Sequence, residues 1–104
     1  MKEEAFRQQV RQVARMYGWT MQYHTYNSRR SDPGWPDEVL IHPLRHRAIF
    51  AELKTDTGKL TSGQRAWLTS LAACGLETAL WRPKDLDKIV AILGPTQQRS
   101  GWLS

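Results

Sequence analysis

Apolar residues recur at three- and four-residue intervals near the start of the chain: Phe6, Val10, Val13, Ala14 and Tyr17. That period is helical, and Gly18 supplies a stop, so residues 2–17 are predicted as a first helix. Residues 19–26 are rich in aromatic and β-branched side chains and favour a strand. Residues 27–35 hold two arginines, a proline and a glycine, and form a loop. Residues 36–42 and 47–54 are apolar runs of strand length, joined by Pro43-Leu44-Arg45-His46. Residues 55–60 turn around Gly58. Thr61 opens a second helix that runs to about Cys74 and stops at Gly75. Residues 76–81 make a short apolar strand, and residues 84–93 a third helix closed by Gly94-Pro95.

The predicted order is α-β-β-β-α-β-α. The fold class is α/β, a mixed α+β sheet in which three strands run antiparallel and a β-α-β unit crosses over right-handed. One domain is expected over residues 1–94, with residues 95–104 as a poorly ordered C-terminal tail. A chain of 104 residues supports one modest core.

Charge changes the picture. The net charge is +5, and arginine outnumbers lysine ten to five. The guanidinium fork suits phosphate oxygens, so a polyanion, nucleic acid above all, is the expected partner. The lone Cys74 excludes an internal disulfide framework; on the apolar side of the second helix it is expected to be buried. No apolar run reaches membrane-spanning length, and Met1-Lys2-Glu3-Glu4 lacks a signal-peptide apolar region. A cytoplasmic protein of a bacterial or phage-infected cell is expected, with no membrane partner.

The candidate chemistry lies in Pro36-Asp37 and Glu52-Leu53-Lys54. A hairpin closed on residues 43–46 sets His42 against Arg47, and the same register sets Asp37 against Glu52. Directly opposed residues have Cβ atoms about 5 Å apart. Lys54 is two positions beyond Glu52 and projects from the same face. Two facing carboxylates repel, so the arrangement makes sense around a hard divalent cation such as Mg2+ or Mn2+. Glu3 lies one helical turn before Phe6, near the inward face, and is chosen over Glu4 as an additional ligand or water-orienting acid. Its alternative role is to complement the helix dipole. Gln64 fits a capping box with Thr61, and the same position lets it lean over the carboxylates.

Taken together, these residues resemble a VRR-NUC (virus-type replication-repair nuclease) domain of the PD-(D/E)XK nuclease superfamily. The likeness rests on Gly34-Trp35-Pro36-Asp37, Phe50-Ala51-Glu52-Leu53-Lys54-Thr55, Gly58-Lys59-Leu60-Thr61 with Gln64 and Trp67-Leu68, Gly75, and Trp81-Arg82-Pro83. It implies a Mg2+- or Mn2+-dependent DNA endonuclease. Asp37 and Glu52 would hold the metal, aided by the Leu53 backbone carbonyl. Lys54 would be the catalytic lysine, Gln64 an accessory site residue and Glu3 the first-helix acid. The resemblance further implies branched DNA such as Holliday junctions as substrate, a homodimer, and a role in replication, repair or recombination.

Glu38 departs from the family pattern, which has an apolar residue after the Pro-Asp. It should point away from Asp37 and reads as a sheet-edge charge. Arg29 and Arg30 before the Pro-Asp, and Lys59 and Arg65 beyond the Glu-Leu-Lys strand, are the expected phosphate contacts. Trp35 is expected to pack over the first strand. His24, His42 and His46 form no convincing zinc set with Cys74. Two other functions compete. A non-catalytic nucleic-acid-binding module could dispense with Asp37, Glu52 and Lys54, all of which are present. A nuclease subunit dependent on a helicase or replication partner would retain them.

Overall fold

A computed structural model describes residues 2–25 and 32–95. Its elements are α1 (Glu3–Met16), β1 (Met21–His24), β2 (Glu38–His42), β3 (Arg47–Leu53), α2 (Ser62–Ala73), β4 (Glu77–Trp81) and α3 (Leu86–Leu93). The strands form one mixed sheet in the order β1-β2-β3-β4. β1–β2 and β2–β3 pair antiparallel, and β3–β4 pair parallel. Tyr26, Arg29 and Arg30, and the expected tail beyond Pro95, lie outside the described residues.

The hairpin between β2 and β3 sets the register of the central strands. Pro43–Arg45 form a single 3-10 turn, and His46 takes a left-handed conformation with φ of 56° to bring the chain back. His42 then faces Arg47, and the ladder runs on to Glu38 opposite Ala51. The turn is anchored from within, since the Arg45 amide donates to His42 Nδ1 at 3.2 Å.

One face of the sheet carries the core. Leu40, Ile49, Ala51, Leu53 and Trp81 pack against Phe6, Val10 and Ala14 of α1 and Ile89 and Leu93 of α3. Trp19 joins this core, and its indole donates to the Leu93 carbonyl at 2.9 Å. That demand takes Trp19 out of the predicted strand, so β1 begins at Met21. Gly18, with φ of +94°, makes the bend between α1 and Trp19; a Cβ there would meet His42 Nε2 at 2.6 Å.

α2 covers part of the opposite face. None of its residues is fully buried. Trp67 is held edge-to-face against Trp35 at 4.9 Å between ring centroids, and Trp35 packs likewise on Phe50 at 6.0 Å. Trp35 therefore bridges β3 and α2. Cys74 is exposed, against expectation, as are residues 72–77 around it. Among the described residues no helix is long and apolar enough to cross a membrane.

Candidate metal centre

Asp37 sits at the mouth of β2, and Glu52 and Leu53 close β3. The observed β2–β3 register, continued one step past Glu38–Ala51, carries Asp37 to Glu52. Asp37 is tied down on both sides. Its carbonyl accepts from the Thr25 amide at 3.0 Å, and its Oδ2 accepts from the Leu53 amide at 3.1 Å. The second bond fixes a carboxylate beside the strand end that bears Glu52.

The loop before Asp37 is held against the start of α2. Gly34 has φ of +97°, and a Cβ there would lie 2.5 Å from the Gly63 carbonyl carbon. Only glycine lets these two backbones meet. The same contact brings the first turn of α2 towards the carboxylates. Thr61 caps α2 by accepting from the Gln64 amide at 3.1 Å, and Gln64 Oε1 accepts from the Thr61 amide at 2.9 Å. The other end of that side chain, Nε2, donates to Glu52 Oε2 at 2.9 Å. Gln64 thus closes the cap with its oxygen and reaches Glu52 with its nitrogen.

Glu52 is 1% exposed, and its second oxygen, Oε1, has no hydrogen-bond partner among the described residues. Burial raises its pKa first, and the neighbouring Asp37 raises it further, to about 8; Lys54 opposes the shift and Glu3 adds to it. Asp37 can hydrogen-bond Glu52 only while one of the two carries a proton. When both are ionised, two acceptors face each other. That donor set, two carboxylates with an orphaned buried oxygen, fits a hard cation such as Mg2+ or Mn2+.

Lys54 follows β3, with its amide on the Trp81 carbonyl at 3.0 Å, and its charge is felt at Glu52. Glu3 is partly buried on the first turn of α1 and close enough to raise the Glu52 carboxyl. It does not complete a compact cluster: among the described residues no three His, Cys, Asp or Glu side chains converge as a metal site. Lys59 and Arg65 are exposed beyond the carboxylates. Other arginines serve the fold. Arg45 donates to the Leu93 and Gly94 carbonyls, Arg47 pairs with Glu77 at 2.6 Å, and Arg82 donates to the Thr55 carbonyl at 2.7 Å. The net positive charge therefore overstates what is free to meet a phosphate backbone.

Glu38 is a correction. It is fully buried under α1, far from being a sheet-edge charge. His24 sits opposite it in the β1–β2 register, with Nδ1 3.0 Å from Glu38 Oε2, and Arg7 and Arg11 approach at 3.5 and 3.9 Å. These are ion-pair distances without hydrogen-bond alignment to either arginine, and both Glu38 oxygens count as unsatisfied among the described residues. Burial lifts the Glu38 pKa to about 7 against the pull of the two arginines. Spacing within α1 held a signal for this: Arg7 and Arg11 flank the apolar positions Phe6 and Val10, where a charge needs a buried partner.

The VRR-NUC domain family matches residues 2–85. The match covers most of the chain and includes Asp37, Glu52, Lys54 and Gln64. No curated protein and no solved structure matches the chain. The chain belongs to the VRR-NUC family, and its mixed α+β fold with a four-stranded sheet is consistent with a nuclease.

Proposed function

We propose that this chain is a divalent-metal-dependent endodeoxyribonuclease that hydrolyses phosphodiester bonds in branched DNA such as four-way junctions. The observation that carries the reading is Glu52: a buried carboxylate with one orphaned oxygen, set beside a second carboxylate that the Leu53 amide holds in place. Asp37, Glu52 and the Leu53 carbonyl would hold the cation. A Mg2+ or Mn2+ bound there would offset charge on the scissile phosphate and lower the pKa of an attacking water.

The chain's own groups do the rest. Gln64 keeps Glu52 Oε2 engaged, which leaves Oε1 as the free ligand oxygen. Lys54 lies on the same face, where an ammonium can orient the attacking water or stabilise charge developing at phosphorus. Glu3 is proposed as the first-helix acid that orients water at the edge of the pair. Arg29, Arg30, Lys59 and Arg65 are proposed to grip backbone phosphates, giving salt-sensitive affinity with little sequence preference. A homodimer would set two such sites across one junction. Exposed Met21 and Tyr23, on the open edge strand, offer apolar surface for that contact.

The test is cleavage of labelled four-way junction, flap, single-stranded and linear duplex DNA with Mg2+, Mn2+ or EDTA. Metal-dependent cutting of the junction, lost in Lys54→Ala, is the expected result. Tight binding without cutting under any metal contradicts a stand-alone enzyme and favours a binding module or a subunit that cuts only with a helicase or replication partner. Light scattering with and without junction DNA checks the dimer; a strict monomer in both conditions removes it.

A further inference from the structure

Asp37 and Glu38 are neighbours whose side chains leave opposite faces of the sheet. The Asp37 side serves the proposed cation site. The Glu38 side holds a carboxylate with no exposure at all, where an apolar residue would fill the space without a desolvation cost. The nearest group is His24, with Nδ1 3.0 Å from Glu38 Oε2; the nearer of the two guanidiniums is that of Arg7, whose side chain is only 10% exposed. Arg7 Nε stands 3.5 Å from Glu38 Oε2. The other edge of the same guanidinium points along α1: Nη2 donates to Glu3 Oε2 at 3.3 Å, and Nη1 bonds Glu4. Arg11 is the weaker partner, 3.9 Å from Glu38 Oε1, and its Nε also donates to Gln22 Oε1 at 3.1 Å.

The fork is anchored next to the site. Glu38 pairs across the sheet with Ala51, the residue before Glu52. A surface i,i+4 pair such as Arg7–Glu3 holds its partners only loosely. Here the arginine is nearly buried, and its Nε faces a fully buried carboxylate at an ion-pair distance of 3.5 Å without a hydrogen bond. The Glu3 side chain, one turn earlier and 43% exposed, accepts the hydrogen bond from Arg7 Nη2. Its charge reaches Glu52.

We infer that Arg7, backed by the buried Glu38, is a positioning residue that fixes the Glu3 carboxylate at the edge of the Asp37–Glu52 pair. This rests on the cation-site reading above. Groups that orient a metal site without touching the metal typically change its affinity by about 10- to 100-fold when removed.

The experiment is a Mn2+ titration without DNA, read by electron paramagnetic resonance of the free ion, with thermal unfolding of each variant alongside. The variants are Asp37→Asn, Glu3→Gln, the pair R7M/E38L, and the triple R7M/E38L/E3Q. The pair replaces the Arg7–Glu38 ion pair by apolar side chains of similar size, while Arg11 keeps Gln22 Oε1 and His24 the Asp37 carbonyl as partners. The wild type is expected to bind Mn2+ and Asp37→Asn to lose it. Glu3→Gln should bind about tenfold more weakly. R7M/E38L should unfold no earlier than the wild type and still bind about tenfold more weakly, and the triple should be no weaker than Glu3→Gln alone. Wild-type affinity in R7M/E38L, or a triple whose loss is the product of the two, overturns the positioning role and leaves the cation site standing. A wild type that binds no Mn2+, or an Asp37→Asn that binds like it, overturns the cation site and this inference with it. Should R7M/E38L fail to fold, Arg7→Lys keeps the charge facing Glu38 without the fork; the same weakening is expected, and unchanged affinity again overturns the role.

Discussion

Two buried glutamates, one on each face of the same sheet, have met opposite fates. Glu38 lies among Arg7, Arg11 and His24, so the protein answers its charge from within. Glu52 lies beside Asp37, a second acid, with Gln64 on one oxygen, no partner among the described residues on the other, and Lys54 as the nearby cation. Both have raised pKa values, chiefly from burial. What differs is the sign of the company. A buried charge surrounded by cations is a structural solution. A buried charge set against another acid suits a site that binds a cation.

That contrast can be broken from either side. The largest effect belongs to the site face: Lys54→Ala is expected to lower junction cleavage by roughly a hundredfold or more while leaving the unfolding temperature near wild type. On the other face, Arg7→Met alone takes the nearer guanidinium from buried Glu38 and should destabilise the fold by about 3 kcal/mol in urea unfolding. Glu52→Gln should do the reverse. It relieves acid–acid repulsion, keeps a group that Gln64 can bond, and should stabilise the metal-free protein by roughly 1–2 kcal/mol as it abolishes cleavage.

The pH dependence follows the same logic. Glu38 and Glu52 titrate at about 7 and about 8 in the folded chain, against an ordinary value of 4.5. Between those limits the folded state holds protons that the unfolded chain has released. Stability in EDTA is therefore greatest near the acid end of this window and falls as pH rises through 7 and 8. Glu52→Gln should flatten the upper part of that fall, and Glu38→Leu the lower part. A flat profile in the wild type would contradict both assignments. The smallest effect concerns the cap: Thr61→Ala should cost about 1 kcal/mol and leave the Gln64–Glu52 bond in place.

Much of the site face was legible because it depends on local rules. Residues 43–46 close a hairpin with an even loop, which fixes the facing residues from His42–Arg47 onward and carries Asp37 to Glu52. Gln64 is a cap residue by spacing alone, and its helix begins where the Glu-Leu-Lys strand has just ended. The other face was not legible in the same way. Alternation says that Glu38 points away from Asp37, but not that α1 covers it, since Arg7 is distant in sequence and meets it only through the tertiary fold. The ring partners of Trp35 were not legible for a similar reason: Phe50 and Trp67 come from two different elements. Cys74 was misjudged because the apolar positions of α2 suggested a buried stripe, whereas the helix lies on the sheet without burying any residue fully.

The central proposal is that Asp37 and Glu52 bind a divalent cation. The most direct measurement is the unfolding temperature at pH 7.5 with and without saturating Mn2+, in the wild type and in Glu52→Gln. An ion that binds only the folded state at a hundred times its dissociation constant stabilises by about 2.7 kcal/mol, a rise of several degrees for a chain of this size. The account predicts that rise in the wild type and its absence in Glu52→Gln. Equal shifts in the two proteins, or none in either, would contradict it.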